Sequence, residues 1–373
     1  MDVVIVGAGT FGASAAWWLA RAGERVTLVD QFEPGDRRSS SGGETRLLRC
    51  SHGDDADYTA MAHRARTLWR ELEDESGEHL LVECGLAWFA HREDGWEAAS
   101  ERTLVAHGIA VERLDVASAA RLYPSFRGDD VAFVLLEPEA GVLRAQRAVR
   151  ALASAAAANG ARIVRGRARP DGAGAVLEDS TRLEGDAVVW ACGGWLARLF
   201  DGLISIAVTR QELLFLDGGP AWRTPGLPAW CDYDRAMYGT ADVDGLGVKA
   251  ALDLEGPPLD PDADLPHTAS TESEVRAYLH DRFPALAGAP LVEARSCRYE
   301  LTADTHFIAA THPEHPSVWL VGGGSGHGFK HGPAMAERLA AAIAAGTALP
   351  DRFGLGQRSR SRSLRTAGSG ITH

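Results

Sequence analysis

The chain has 373 residues, enough for two domains and a large core, and its 45% hydrophobic and 24% charged content is that of an ordinary globular protein. A net charge of −13 argues against nucleic acid or an anionic membrane surface as a partner, and no apolar run reaches the length of a membrane span. The five cysteines, Cys50, Cys84, Cys192, Cys231 and Cys297, show no CxxC or zinc spacing and predict reduced thiols; with a strand opening at residue 2 in place of a signal peptide, they predict a cytoplasmic protein.

The first thirty residues organise the rest. The β-branched run Val3 to Val6 predicts a buried parallel strand, and Gly7-x-Gly9-x-x-Gly12 follows it at once. An Ala-rich helix runs to about Gly23, and a second buried strand, Val26 to Val29, closes on Asp30. This is the dinucleotide-binding βαβ fingerprint. Gly7 permits the turn, Gly9 lets a pyrophosphate lie on the backbone, and Gly12 lets the helix approach the sheet. The free N–H groups of the helix face the phosphates, and Asp30 follows Gly9 at the spacing of a ribose-binding acid. The fingerprint alone leaves NAD and FAD both open.

A loop, Glu33 to Arg38, then leads through Ser39-Ser40-Ser41-Gly42-Gly43 into Glu44-Thr45-Arg46-Leu47-Leu48-Arg49. It reads equally as a segment running along the cofactor or as a surface turn with solvated arginines. Residues 57–75 predict a helix with Met61, Ala65, Leu68 and Leu72 on its apolar face, and residues 85–90 a strand. A helix is expected from Asp94, as N-cap, to His107, then a connector over 109–123, a strand over 131–136 and a turn over 137–143. A long helix from Ala145 to Ala158 stops at Asn159-Gly160; the strand 161–164 and a hairpin over 166–184 follow. The buried strand from Asp186 ends in the small-residue turn Ala191-Cys192-Gly193-Gly194-Trp195, where a second contact to the nucleotide is expected. Residues 208–299 are strand-rich, with strands at 212–216, 236–239 and 247–252 and a helix from Glu272 to Leu279. The strand Val318 to Val321 enters Gly322-Gly323-Gly324-Ser325-Gly326-His327-Gly328-Phe329-Lys330 and then a helix from Pro333 to Ala345. Residues 356–373 are polar and of low complexity and are expected to be disordered. His306, His312 and His315 cluster in sequence, but Pro313 breaks any helical face, and no metal site is expected.

Five blocks in this order resemble the FAD-dependent amine oxidases of the D-amino-acid-oxidase superfamily, most closely the monomeric sarcosine oxidase and N-methyltryptophan oxidase branch, with glycine oxidase as a further relative. They are Gly7–Gly12 with Asp30, Glu44–Arg49, Glu137-Pro138-Glu139-Ala140-Gly141-Val142, Ala191–Trp195 and Ser325–Lys330. The resemblance covers residues 2 to about 350 and implies FAD rather than NAD. It implies an α/β fold: a Rossmann-like FAD-binding domain with an interleaved substrate domain on a mixed or antiparallel sheet. The expected FAD domain is discontinuous (1–80, 140–207 and 300–355), with 81–139 and 208–299 as substrate domain.

Site roles carry over by position. Cofactor contacts are implied for Gly7, Gly9, Thr10, Phe11, Gly12, Asp30, Ser41, Thr45, Arg46, Arg49, Cys192, Gly193, Trp195, Gly324, Gly326, His327, Gly328, Phe329 and Lys330, and a covalent FAD thioether for Cys297. Arg46 and Lys330 are expected to clamp the substrate carboxylate, and Lys249 to activate oxygen. Tyr238 and Tyr299 match pocket aromatics; His327 is either a flavin or substrate contact or a packed loop histidine. Where close relatives carry a pocket histidine this chain has Asp253, which implies an altered substrate preference. The implied reaction is oxidation of a carboxylate-bearing secondary amine, an N-alkyl amino acid or N-substituted glycine, by hydride transfer to flavin, with hydrogen peroxide formed from oxygen. Glyoxylate release in a tailoring role is one form of it. A D-amino acid or cyclic imino acid oxidase, a flavin dehydrogenase and a non-catalytic flavoprotein are the alternatives. The expected partners are a small amino-acid-like substrate and oxygen, with the chain a monomer or homodimer.

Overall fold

The computed structural model describes residues 1–356, 358–359 and 363–366. Its first large sheet has six strands, in the order Ile308–Thr311, Val318–Gly322, Ala187–Trp190, Asp2–Val6, Arg25–Asp30 and Arg162–Arg165. All are parallel except the edge strand Ile308–Thr311. The runs of Val, Ile and Leu exist because both faces are covered. Val3 and Ile5 pack with the helices Thr10–Arg21, Ala145–Ala158 and Gly332–Ala345. Val4 and Val6 face a small antiparallel sheet of residues 168–183. Gly7, at φ +106°, turns the chain from the first strand into the first helix; a Cβ there would fall 2.3 Å from the Ala191 carbonyl oxygen. A Cβ on Gly12 would fall 1.8 Å from the Gly7 oxygen, so glycine at both positions lets helix and sheet touch.

The second large sheet has eight strands: Leu291–Leu301, Ala207–Leu216, Val248–Leu252, Met237–Thr240, Ala229–Asp232, Leu86–Ala90, Phe133–Glu137 and Glu112–Leu114. It is antiparallel apart from the parallel pair Ala229–Asp232 and Leu86–Ala90. A three-stranded sheet, Thr45–Leu48 with Gly141–Arg144 and Leu81–Val82, is interleaved in sequence with the other two and carries the Glu44–Arg49 block. The long helix Ala56–Ser76 starts at Asp55, whose side chain accepts from the Tyr58 amide at 3.1 Å, and stops at Gly77 in the left-handed region. Among the described residues no helix is long and apolar enough to cross a membrane.

Some boundaries move. The helix expected from Asp94 runs over Trp96–Ala106 with Gly95 at its N-cap and no side-chain cap, because the chain is still turning at Asp94. The expected turn over 137–143 shrinks, since Glu137 still pairs in one strand and Gly141 already pairs in the next. The expectation of a disordered tail over 356–373 is corrected for Ser363–Thr366. These four residues are buried, because their backbone and Arg365 find partners in the interior. Gln357, 360–362 and 367–373 lie outside the described residues.

Candidate active site

The parallel strands Asp2–Val6, Ala187–Trp190 and Val318–Gly322 end side by side, and each runs into a glycine-bearing turn. Open α/β sheets bind ligands beyond such strand ends. Here they open onto a cleft of about 890 Å³. Gly7, Gly9, Thr10, Phe11, Asp30, Ser41, Cys192, Gly193 and Trp195, all expected cofactor contacts, line it. Asp30 accepts from the amides of Ala8 at 2.5 Å and Phe32 at 2.7 Å, which fixes its carboxylate at the end of the second strand. Burial raises its pKa, and these two amides work against that rise. The first helix starts at Gly9, whose position offers no side-chain cap, and of its N-terminal amides that of Thr10 already donates to Ser41 Oγ. Ser41 is held in place by the Thr10 amide at 3.0 Å.

The cleft continues inward. A middle section shares Thr10, Phe11, Ser41 and Glu300 with the first and adds Gly324 and Gly328. It shares Arg46, Tyr299, Gly326 and Phe329 with an inner cavity of about 620 Å³. The inner cavity is lined by Arg49, Tyr238, Lys249, Asp253, Cys297, His327 and Lys330 among others. Shared walls thus link a dinucleotide cradle to a cation-lined end in one groove. Of the expected residues, Gly12 packs inside the helix–sheet contact and Thr45 is buried behind Lys249; neither lines the groove.

Each side chain is aimed by local structure. Lys330 sits in a short turn, Phe329–His331, before the helix Gly332–Ala345. Trp69 Nε1 donates to the Lys330 carbonyl at 2.8 Å and its ring stacks on Phe329; Thr10 Oγ1 donates to the Phe329 carbonyl at 3.0 Å. Lys330 Nζ donates to the His327 carbonyl at 3.0 Å. Arg49 Nη2 donates to the Leu364 carbonyl at 2.9 Å, Nη1 to that of Ser51, and the guanidinium lies 5.0 Å from the Trp88 ring. Glu137 braces that corner by accepting from the Cys50 amide, the Ser51 hydroxyl and Trp88 Nε1. Lys249 comes from the strand Val248–Leu252 and reaches the Thr45 carbonyl at 3.3 Å.

The charges fall into two groups. Burial and then Arg49 push Lys330 well below its usual range. Burial and then Arg46 push Lys249 down to about 8. Burial raises the Cys297 thiol, against the pull of Arg46 and Lys249. Among the cations, Lys330 thus feels Arg49 most and Lys249 feels Arg46 most, while the expected pair Arg46 and Lys330 both line the inner cavity. Arg49 and Lys330 are 4% and 2% exposed, and among the described residues no carboxylate lies within ion-pair distance of either. Two buried cations without a counter-ion invite an anion.

Sequence reasoning missed three features. Glu300, directly after Tyr299, is buried where cradle and middle section meet; burial raises it to about 7, and its Oε2 has no partner. Arg365 enters the inner cavity from the supposed tail. His52, His327 and His331 gather their ring nitrogens within 4.8 Å of one another, all buried. His327 Nε2 meets the Thr305 carbonyl at 2.8 Å, and His52 Nδ1 that of Cys50 at 2.9 Å. Such a trio can offer nitrogen ligands, but Lys330 and Arg49 press on all three, and their pKa values lie well below normal mainly through burial, so they read as neutral packed imidazoles.

Fold and groove together define a flavin-type oxidoreductase: a dinucleotide cradle leading to a buried, polar reaction chamber. The chain belongs to the FAD dependent oxidoreductase (DAO) family, whose profile it matches over residues 2–342. It is similar to the monomeric sarcosine oxidase of Bacillus sp. (strain B-0618), 29% identical over 357 residues that cover 91% of this chain and 90% of that one. It is also similar to the N-methyl-L-tryptophan oxidase of Yersinia pestis (strain Pestoides F), 26% identical over 347 residues covering 90% and 93%. Among solved structures, the L-proline dehydrogenase of P. horikoshii superposes with a TM-score of 0.82 at 19% identity, covering 95% of this chain and 96% of that one. The α/β architecture expected from the sequence is thus the family's. The cradle fits FAD: the ribose-side acid, the uncapped helix start and the inward groove stand where a long dinucleotide requires them.

Proposed function

We propose that this protein oxidises a carboxylate-bearing secondary amine, an N-alkyl amino acid or N-substituted glycine, with dioxygen as electron acceptor and hydrogen peroxide as product. The observation that carries this reading is the pair Arg49 and Lys330, two buried cations with no carboxylate partner among the described residues, at the inner end of the FAD groove. Sarcosine and N-methyl-L-tryptophan, after which the similar enzymes are named, are both N-methyl amino acids, which supports the amine class. When bound, FAD supplies a two-electron acceptor that dioxygen can reoxidise.

The chain's own residues do the rest. Gly7, Gly9, Thr10, Phe11, Asp30, Ser41, Cys192, Gly193 and Trp195 would hold the adenosine and pyrophosphate side of FAD, and Gly324, Gly326, Gly328 and Phe329 its inner part. Cys297 would carry a thioether to it, with Arg46 and Lys249 favouring the thiolate that this bond requires. Arg49 and Lys330 bind the substrate carboxylate; its charge reverses the repulsion between them and fixes which C–H faces inward. Tyr238 and Tyr299 wall the pocket, with His327 beside them as a neutral imidazole. The amine must be neutral, because its lone pair becomes the second bond of the imine as hydride leaves. Lys249, buried and still charged at neutral pH, favours electron transfer to dioxygen. The imine then hydrolyses: an oxidised N-methyl group leaves as formaldehyde, an oxidised glycyl methylene as glyoxylate. In this reading residues 1–80, 140–207 and 300–355 carry the cofactor, and 81–139 with 208–299 the substrate. A reducing cytoplasm suits the five unpaired thiols.

The test is anaerobic bleaching of the bound flavin by sarcosine, N-methyl and N-carboxymethyl amino acids, glycine, D-amino acids and proline. Bleaching by N-alkyl amino acids supports the reading. Bleaching by D-amino acids or proline alone replaces it with a D-amino acid or cyclic imino acid oxidase, and no bleaching by any compound refutes it.

A further inference from the structure

The inner cavity holds one charge that the proposed reaction does not use. Asp253 is 8% exposed and lines the cavity. Tyr299 donates its hydroxyl to Asp253 Oδ1 at 3.0 Å. The second partner arrives from far along the chain. Arg365 Nη1 lies 2.6 Å from Asp253 Oδ1 and also donates to the Asp253 carbonyl, while Nη2 reaches Glu255 at 3.1 Å. The guanidinium stands 5.0 Å from the Tyr299 ring and presses on Gly326, where a Cβ would fall 2.7 Å from Arg365 Cδ. The segment that delivers it is pinned on several sides. Tyr233 Oη donates to the Ser363 carbonyl at 2.8 Å, Thr366 Oγ1 to the Tyr233 carbonyl at 2.9 Å, and Arg49 Nη2 to the Leu364 carbonyl at 2.9 Å.

Resting on the reading of this cavity as the seat of a carboxylate-bearing amine, we infer that Arg365 is a positioning residue for the amine's ionisation: by pairing with Asp253 it prevents the cavity from holding the substrate nitrogen as an ammonium. Hydride cannot leave a carbon whose nitrogen is protonated, since no lone pair is free to form the imine. A buried, unpaired carboxylate within reach of that nitrogen would favour the ammonium and raise its pKa by about one to two units. The other groups facing Asp253 do not replace Arg365. Glu255 adds negative charge. Lys249 is turned to Thr45, and Arg49 to two backbone carbonyls. Tyr238, Cys231 and Cys297 are raised in pKa chiefly by burial and stay uncharged. Burial also raises Asp253, and Arg365 is the largest influence working against that.

The experiment is the pH profile of anaerobic flavin reduction by sarcosine, or by another N-methyl amino acid of the panel that bleaches the native flavin. In Arg365→Met the limiting ionisation should move about one to two pH units upward. In Arg365→Lys it should stay near the native value, and in Asp253→Asn/Arg365→Met it should return to it. Thermal unfolding of the flavin-free proteins adds a readout without turnover: Arg365→Met should unfold earlier than the double variant, in which residue 253 no longer carries a charge. A profile unmoved in Arg365→Met, or a shift that persists in the double variant, overturns the inference while leaving the function standing. Failure of every compound to bleach native flavin overturns the functional reading first and this inference with it.

Discussion

Replacing Glu300 by Gln should change how stability depends on pH, in a predictable direction. The carboxyl is buried at the point where the dinucleotide cradle meets the middle of the groove, and burial raises its pKa from 4.5 to about 7 against the pull of the Gly323 amide. The folded protein therefore holds a proton that the unfolded chain has already lost. This contribution is fully present below about pH 4.5 and is lost as pH rises through about 7. A rise of that size corresponds to about 3 kcal/mol between the two ends of the window. Glutamine keeps the shape and cannot ionise. The flavin-free Glu300→Gln protein should match the native one at pH 4.5 and be the more stable at pH 8, by up to about 3 kcal/mol. Denaturant unfolding of both proteins at half-unit pH steps measures the difference, in which every other titrating group, Glu97 included, cancels. The same difference should appear in flavin retention, because the ionised native carboxylate would face the pyrophosphate side of the groove. Superimposable pH curves, or a constant loss in the Gln variant at all pH values, would refute the reasoning.

Arg49→Met and Lys330→Met should each raise the KM for a carboxylate amine by about 10²-fold, as expected for a lost charge-assisted hydrogen bond. Arg46→Met should have a smaller effect; an equal effect for Arg46 would restore it to the carboxylate clamp. Lys249→Met should slow reoxidation of the flavin by dioxygen far more than its reduction by substrate, measured as separate half-reactions by stopped flow. Because Lys249 loses its proton near pH 8, native reoxidation should itself decline as pH rises through that value; a flat profile counts against the role. Cys297→Ser should let acid precipitation release all the flavin, and flavin that stays with the pellet would assign the bond to another residue.

The nucleotide cradle was legible because its signals are local. Strand, glycines, helix and Asp30 fall within thirty residues, and each has one physical job. Lys249 and Cys297 were singled out by position through the resemblance, and the turn before Lys330 by its block; all three line the inner cavity. The partnership of the two arginines was not legible. Arg46 and Arg49 lie three residues apart, and strand alternation would send them to opposite faces, but the strand stops at Leu48 and Arg49 turns inward beside Trp88. Glu300 hid for the converse reason. It reads as an ordinary strand glutamate, and only the packing of the strand Leu291–Leu301 against the glycine turns buries it. Arg365 was least legible of all. A polar run of Arg and Ser looks unstructured until an acid elsewhere in the chain gives it a partner, and no periodicity announces such a pairing.

The distance in sequence between Asp253 and Arg365, 112 residues, has a practical consequence. Neither large sheet uses a residue beyond Gly322, yet the core packed on the first sheet takes in Leu364 as well as Phe353. Loss of Ser363–Thr366 would therefore leave both sheets whole while removing Leu364 from that core and the guanidinium from the inner cavity. The protein would keep its strands, and the damage would fall on Asp253, left in the inner cavity without its arginine partner, and on Arg49, which would lose its bond to the Leu364 carbonyl.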